Sequence, residues 1–344
     1  MTIHDLARHL NISIGTVSRA LNGRRDVSEE TRRRVLEAAR SLNYAPNQSG
    51  RSLRQGTTNM VAFILETNRK MPLADTIFMS VLDGIREFLA GRGLDLMVLM
   101  CGAEEDSYDH LRRVVERGLA DGVIICETRR HDTRIEYLLK RKTPFVTFGR
   151  SLTSGDYPWI DLDFENVAER AVKRLNDLGH RRIGIAVRNN EVNYNTLFVD
   201  AYRQAMARRG LAVDAALILD GDGNEEGGYR LGETLLHMRE RPTALLLAHN
   251  AMIVGLYRRL VEAGLAPGRD LAIIGFQEEP SGRFLSPRLT AFRSDLGGLG
   301  ARLGEALIAA IPARGSEVPV EPIRQIWPME LVAGESDGAG AGTD

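Results

Sequence analysis

Apolar positions recur along this chain in two rhythms, one over its first forty or so residues and another over nearly everything after residue 59. In the opening stretch Ile3, Leu6, Ala7 and Leu10 fall at helical spacing behind Thr2 and Asp5, a capping box with Asp where Glu or Gln is usual. "LNIS" ends that helix with an Asn at the position where a left-handed residue closes one. Ser13 caps the next helix, which runs from Ile14 to about Leu21 with Val17 and Leu21 inward and Asn22-Gly23 as its stop. Ser28, followed by Glu29, Glu30 and Thr31, opens a third helix striped by Val35, Leu36, Ala39 and Leu42. Short helices sharing one small core predict an all-α helix-turn-helix head over residues 1–44.

The second rhythm alternates short apolar runs with amphipathic stretches. "MVAFILE" is followed by a helix ending near Ala90, then "LDLMVLM", a helix over 108–119, "GVIIC" and "PFVTFG". After the turn-rich "TSGDYPWID" the rhythm resumes with "RIGIAV", "ALILD", "TALLLA" and "LAIIGF". This is the βαβ pattern of parallel sheets, here predicting an α/β body of two lobes. Such sheets bind ligands at the carboxyl ends of their strands, and two facing lobes make a cleft that closes on a small molecule.

Composition changes the picture little until it is divided along the chain. The 344 residues are 43% apolar and 26% charged, which suits two or three globular units. No run approaches the ~18 apolar residues of a spanning helix and no signal-peptide pattern opens the chain, so a cytoplasmic protein without a membrane partner is expected. Cys101 and Cys126 have no CxxC spacing and read as small buried apolar residues, so neither metal nor cofactor is expected. The net charge is −1, yet residues 1–58 carry ten Arg against five acidic residues, and the remainder has 35 basic against 41 acidic. Arginine's planar fork suits phosphates and guanine edges. A charged, solvated surface is the alternative for the head's excess alone.

A major groove admits one helix, whose N-terminal residues meet base edges. Thr16, Ser18 and Arg19, on the outer side of the second helix, are then candidates for bases and phosphates; a protein-binding module would also fit three helices. Residues 45–58 join the head to the body. There Leu53, the only large apolar side chain, stands between Arg51 and Arg54 after Pro46 and Asn47. The stretch is either a flexible tether or a minor-groove wedge that unstacks a base step.

"TVSRALNG", "VSEETRRRVLEAARSLNYAPN" and "RSL", in this order, resemble the lactose/galactose repressor family of bacterial transcription regulators. The resemblance continues in "LGHRRIGIA", "PTALLLAHNAMIVGLYRRLVEAGL", "LAIIGF" and "SPRLTAF", over nearly the whole chain. It implies a major-groove helix opening at Ser13, sequence preference set by the positions of Ile14, Gly15 and Arg19, and contacts from Asn22 and Asn47. It also implies that Leu53 intercalates at the centre of a pseudo-palindromic operator in double-stranded DNA, after the hinge helices of a homodimer fold on it. For the body it implies a periplasmic-binding-protein-like architecture over 59–336, with lobe 1 at 59–158 and 293–322, lobe 2 at 159–292 and 323–336, crossings near 159, 292 and 323, and a flexible tail at 337–344. Gly15 departs from the long side chain usual there, leaving more discrimination to Arg19.

Nothing in the body matches a phosphate-binding loop: the first strand exits into "ETNRKMPL", without glycine. Asp220, Asp222 and Asn224 have calcium-loop spacing but lack the Gly and the terminal Glu, so a solvated turn is expected. Ligand candidates carried over from the resemblance are Phe78, Arg150, Phe198 at the place of the family's cleft Arg, His249 and Asn250 in place of an amide and a carboxylate, and Gln277 in place of an Asp. Asn193 and Asn195 are further donors. Phe78 can equally be core, and Arg150 an ion pair between lobes. Losing an Arg and two carboxylate positions disfavours an anionic effector. The expectation is a non-enzymatic repressor of carbohydrate genes, controlled by a small neutral sugar; a sugar-binding protein or enzyme with a vestigial head, and an activator, are the alternatives.

Gly50 stands where the family usually has Ala in the hinge helix, which weakens that helix by roughly 1 kcal/mol. Hinge amides are expected to exchange hydrogen freely in the isolated protein and to become protected on operator. Protection already present without DNA would refute this.

Overall fold

The computed structural model describes residues 2–21, 24, 26–44, 57–67, 76–188, 190–278, 280–311 and 321–338. Asn22, Asn47, Gly50, Arg51 and Leu53 lie outside the described residues. The chain divides into two units, Met1–Thr58 and Asn59–Asp344.

In the first unit Thr2 caps α1 (Ile3–Leu10) reciprocally, its N–H donating to the Asp5 carboxylate at 2.9 Å, and Asn11 at φ 51 closes the helix. Ser13 accepts the Thr16 N–H at 3.0 Å ahead of α2 (Ile14–Leu21), and Ser28 accepts that of Thr31 at 3.2 Å ahead of α3 (Glu29–Ser41). Leu6, Ala7, Val17, Ala20, Val27, Val35, Ala38 and Ala39 form the core. Leu36, expected in the apolar stripe, is exposed, and Leu21 is only half-buried. The buried stripe of α3 runs 35–38–39, and residue 36 lies a hundred degrees round from 35.

In the second unit, lobe 1 is built on β1 (Met60–Glu66), β2 (Asp95–Cys101), β3 (Gly122–Cys126), β4 (Phe145–Phe148), β5 (Trp159–Leu162) and β11 (Arg324–Trp327). They form one parallel sheet in the order β11-β5-β4-β3-β1-β2. Alternate residues of β1 serve opposite faces. Val61, Phe63 and Leu65 join the core with α4 (Thr76–Ala90) and α11 (Leu296–Ala310), while Ala62 and Ile64 join that with α5 (Ser107–Glu116) and α6 (Thr133–Arg141).

Lobe 2 has β6 (Ile183–Val187), β7 (Ile218–Asp220), β8 (Ala244–Leu247) and β9 (Ala272–Gly275), parallel in the order β7-β6-β8-β9. Around them stand α7 (Phe164–Asp177), α8 (Asn193–Arg208), α9 (Glu225–His237) and α10 (Ala251–Glu262), and β10 (Ala291–Arg293) pairs antiparallel with β12 (Glu330–Val332).

Two boundaries shift. Trp159 pairs with Arg324 and Leu162 with Trp327, so β5 and β11 belong to lobe 1, and the chain crosses after 162 and after 327 rather than near 159 and 323, while the crossing expected near 292 follows β10 at 293. Residues 159–162 and 324–327 therefore move from the expected lobe 2 into lobe 1. Nor is residue 337 part of a loose tail: Asp337 is buried, accepts the Thr290 hydroxyl and pairs with Arg174, while the carbonyl of Gly338 lies 2.8 Å from Nε2 of His180.

Helix pairs approach closely at glycines. A Cβ on Gly228 would fall within the van der Waals radius of the Met252 carbonyl oxygen, and one on Gly255 within that of Glu225, so α9 and α10 pack backbone to backbone. Gly228→Ala is expected to cost at least about 2 kcal/mol in urea denaturation. Gly91→Ala, where the new methyl meets only ordinary contacts, is the control expected to stay near wild type.

Candidate functional site

Two surfaces carry the candidate residues. On the head, α2 presents Ile14, Gly15 and Arg19 outward, with Thr16 and Ser18 half-buried. The Ser13 and Thr16 hydroxyls lie 2.9 Å apart and share a hydrogen bond. Arg19 lies back along the helix: a Cβ on Gly15 would meet its guanidinium nitrogens at 3.6 and 3.8 Å, and its Nε stands 3.4 Å from Asp26. A side chain at Gly15 would thus start in ordinary contact with the Arg19 fork. Sequence reasoning missed Asp26, whose only signal was its acidity within "GRRDVS".

The second surface is a cleft between the lobes, open to solvent at its mouth and lined by residues of both. Aromatic rings make much of its wall. Phe164, the first residue of α7, stacks between Tyr194 (5.4 Å) and Phe276 (5.1 Å). Facing from lobe 1, Phe78 meets Phe148 edge to face at 6.1 Å and Phe63 at 6.4 Å. Phe198 is fully buried behind this wall, 6.0 Å from Phe164 and 5.6 Å from Phe276.

The polar lining comes from strand exits. After β4, Gly149 sits at φ 118, where a Cβ would also press on the Thr128 hydroxyl oxygen at 2.7 Å, so the turn requires glycine, and Arg150 follows. Nε of Arg150 donates to Asp161 at 2.8 Å in β5, and its two terminal nitrogens donate to both oxygens of Glu165 in α7, at 2.9 and 2.8 Å. One guanidinium thus joins a carboxylate of its own lobe to one of the other. Burial pushes the Asp161 carboxyl up to about 6 against the pull of Arg150. Glu165 is less desolvated, and the same guanidinium holds it below the usual carboxylate range.

Further bonds tie the lobes beside this pair. The Asn193 N–H donates to Thr128 O and its side-chain amide to Arg150 O, both at 2.8 Å. Arg188 at the exit of β6 reaches Glu127 at 3.4 Å, and Arg129 lies 3.7 Å from Glu191. Glu127, at φ 49, has its carboxyl pushed up by burial, with Arg188 opposing. Behind it the fully buried Arg134 binds Asp132 at 2.7 Å, pairs with Glu66, and donates to the carbonyls of Cys126 and Glu127 at 3.2 and 3.1 Å. That charge pins the turn which presents Glu127 and Thr128. His249 lies 3.2 Å from the Tyr194 hydroxyl; desolvation first, and Arg188 second, push its imidazole down to about 3, so it is neutral near pH 7.

Of the predicted ligand residues, Phe78, Arg150 and His249 line the cleft. Phe198 is in the wall behind, and four amides do not line the cavity. Asn193 is spent on the seam. The Asn195 amide donates to Asn190 at 2.5 Å, and Asn250 exchanges bonds with the backbone of Gln277, whose N–H reaches Asn250 Oδ1 at 3.1 Å. Glu127, Asp161, Phe148, Phe164, Tyr194 and Phe276 line the cavity without having been singled out. Phe148 and Phe276 had a signal, since the first ends β4 and the second directly follows β9. Among the described residues, no helix is long and apolar enough to cross a membrane.

Comparison with known proteins follows this geometry. Residues 2–47 match the model for bacterial regulatory proteins, lacI family, and residues 172–336 that for a periplasmic binding protein-like domain. The HTH-type transcriptional regulator AglR of Rhizobium meliloti (strain 1021) is 33% identical over 350 residues, covering 98% of this chain and 94% of that protein. Among solved structures, a transcriptional regulator CelR–cellobiose complex superposes with a TM-score of 0.74 at 24% identity, covering 98% of this chain and 99% of that one. The lac repressor dimer bound to operator and the anti-inducer ONPF superposes with a TM-score of 0.86 at 22% identity, with the same coverage. At these identities the two structures speak for the fold.

The raised Asp161 carboxyl has a measurable consequence. The folded protein keeps this proton where the unfolded chain, near 3.8, has lost it, so the residue's contribution to stability declines as pH rises from about 4 to about 6 and is level above. Relative to Asp161→Asn, wild type is expected to lose about 3 kcal/mol of unfolding free energy across that window. Urea denaturation of both proteins at about pH 4 and about pH 7 measures the difference; a flat difference refutes it.

Proposed function

This chain belongs to the lacI family of bacterial regulatory proteins and is a sequence-specific DNA-binding transcription regulator; on that premise we propose that it represses carbohydrate uptake or catabolism genes under control of a small neutral sugar. The observation that carries the sugar reading is the state of the cleft's cations. Arg150 is shared by Asp161 and Glu165, and Arg188 faces Glu127, so neither guanidinium offers the bidentate clamp an anionic effector requires. What surrounds the space is acceptor-rich and ringed by aromatics: two carboxylates, a neutral imidazole, hydroxyls of Thr128 and Tyr194, and Phe78, Phe148, Phe164 and Phe276. Carboxylates accept from sugar hydroxyls, and rings cover C–H surface. AglR, a regulator, and CelR, solved with cellobiose, support the reading by similarity.

In this reading Ser13, Ile14, Gly15, Thr16, Ser18 and Arg19 enter the major groove of a pseudo-palindromic operator, with Asn22, Asn47, Arg51 and Leu53 contributing around the hinge. A second copy of the chain supplies the other half-site, in the bacterial cytoplasm. The surface we assign to it includes the exposed Met79, Val98 and Met100 of lobe 1 and Val254, Val261 and Phe284 of lobe 2. The sugar and the operator favour different arrangements of the lobes, a coupling typically of about 1–3 kcal/mol.

Fluorescence anisotropy on DNA from the protein's own promoter, with thermal-shift screening of sugars, tests the reading. Arg19→Ala is expected to weaken operator binding by about ten-fold or more, the worth of one base-reading fork. A sugar at about 100 times its Kd should add about 2.7 kcal/mol of stability. Tyr194→Ala should abolish that gain while operator affinity stays at the wild-type level. Stabilisation by phosphorylated or acidic compounds alone would overturn the neutral-sugar assignment, and an Arg19→Ala variant with unchanged occupancy would overturn the groove contact.

A further inference from the structure

Away from the cleft lining, the turn from β2 into α5 folds three metal-binding side chains onto one another. Cys101 is the last residue of β2, Glu105 sits in a tight turn closed by its own N–H on the Gly102 carbonyl at 2.9 Å, and His110 is in the first turns of α5. A thiol sulfur, a carboxylate oxygen and an imidazole nitrogen from these residues all lie within 4.8 Å of one another. The pairing within the group is already close: His110 Nδ1 is 2.9 Å from Glu105 Oε2, and the Cys101 thiol points at the Glu105 carbonyl at 3.6 Å. Cys101 is buried, His110 mostly so, and Glu105 half-exposed, leaving one open side.

We propose that Cys101, Glu105 and His110 bind a borderline-soft divalent cation, zinc(II) being the reference ion, with water completing the shell. Sulfur, nitrogen and oxygen donors in one site select zinc over magnesium or calcium, which take oxygen. Donors bound to one tetrahedral zinc at about 2.0–2.3 Å stand roughly 3.3–3.8 Å apart, so the wider spacings have to draw in by up to about an ångström while the His110–Glu105 pair, now at 2.9 Å, opens slightly. The half-exposed Glu105 turn gives that movement. Thiolate and carboxylate together supply two negative charges, matching a divalent ion.

Arg113 pairs with Glu105 Oε1, leaving Oε2 toward the cluster, which is the arrangement of an outer partner that orients a ligating carboxylate. Burial first, then the charges of Glu66 and Asp106, holds the Cys101 thiol above its usual range, with Arg134 and Arg113 opposing, so metal binding has to displace the thiol proton. The C-x3-E-x4-H spacing matches no common zinc signature, because the strand exit rather than a helix repeat brings the donors together. The assignment does not depend on the effector reading.

Full-length protein stripped of metal by chelation and titrated with Cd²⁺ and Zn²⁺ tests it. One equivalent per chain is expected to bind, with a thiolate-to-cadmium ultraviolet absorption band. Cys101→Ala is expected to remove the band, and both it and His110→Ala to weaken Zn²⁺ binding by at least about ten-fold. Cys126→Ala, at a thiol buried on β3 and bonded to Ile64 O, should leave both unchanged. X-ray absorption of the zinc-loaded wild type, which needs no variant to fold, should give one sulfur among nitrogen and oxygen neighbours. Absence of stoichiometric binding, a band that survives Cys101→Ala, or a shell without sulfur would overturn the proposal.

Discussion

The Arg150 guanidinium is the interaction on which the body's arrangement turns. Desolvating an arginine demands a partner, and here the demand is met twice, from opposite sides of the cleft. Asp161, in the neighbouring strand of the same sheet, is buried and stays with Arg150 whatever the lobes do. Glu165, on the other lobe, is half-exposed, so its share is screened by water and worth on the order of 1 kcal/mol or less. The resident pair keeps the charge satisfied while the cross-lobe pair can be broken at little cost. A sensor needs that division of labour: small differences in ligand contact then suffice to choose between arrangements.

Rigidity is distributed to match. On lobe 1 the turn bearing Glu127 and Thr128 is pinned by a fully buried Arg134, whose loss would leave the buried Asp132 without its cation. On lobe 2 the corresponding positions are held by aromatic stacking of Phe164 with Tyr194 and Phe276, which has no single-bond weak point. Asn193 then bonds to two carbonyls across the seam, Thr128 and Arg150, and each of those carbonyls belongs to a residue that itself lines the cavity. Contacts between lobes and contacts available to a ligand are therefore the same few groups, seen from two sides.

How much of this was legible in the sequence follows from what each residue does. Strands such as "GVIIC" and "ALLL" are buried on both faces and read directly, and the caps Thr2, Ser13 and Ser28 announced the head. The strands at 159–162 and 324–327 lie just beyond the approximate crossings that the resemblance implied, and nothing local corrects those bounds: "WIDL" carries the Asp that Arg150 needs and "RQIW" lies at the sheet's edge, so neither shows an apolar run. Strand-exit logic found Arg150 and His249. It could not rank the amides, because whether an Asn faces ligand or a neighbouring backbone is settled by tertiary contacts: Asn250 and Gln277 satisfy each other. Phe164 and Tyr194, at the starts of helices, carry no local mark in the sequence, and only the cavity shows their role.

The threefold passage of the chain between lobes has a bearing on how this molecule is born. Lobe 1 lacks its outermost strand until residues 324–327 are made and its covering helix until residue 310, so its sheet stays unfinished through synthesis of all of lobe 2. The head, by contrast, has every core contact within its first 44 residues and can fold as soon as it clears the ribosome. A nascent polypeptide thus carries a completed reading device long before it has anything with which to sense, and translation stalled in the second lobe would leave a DNA-binding fragment deaf to its signal.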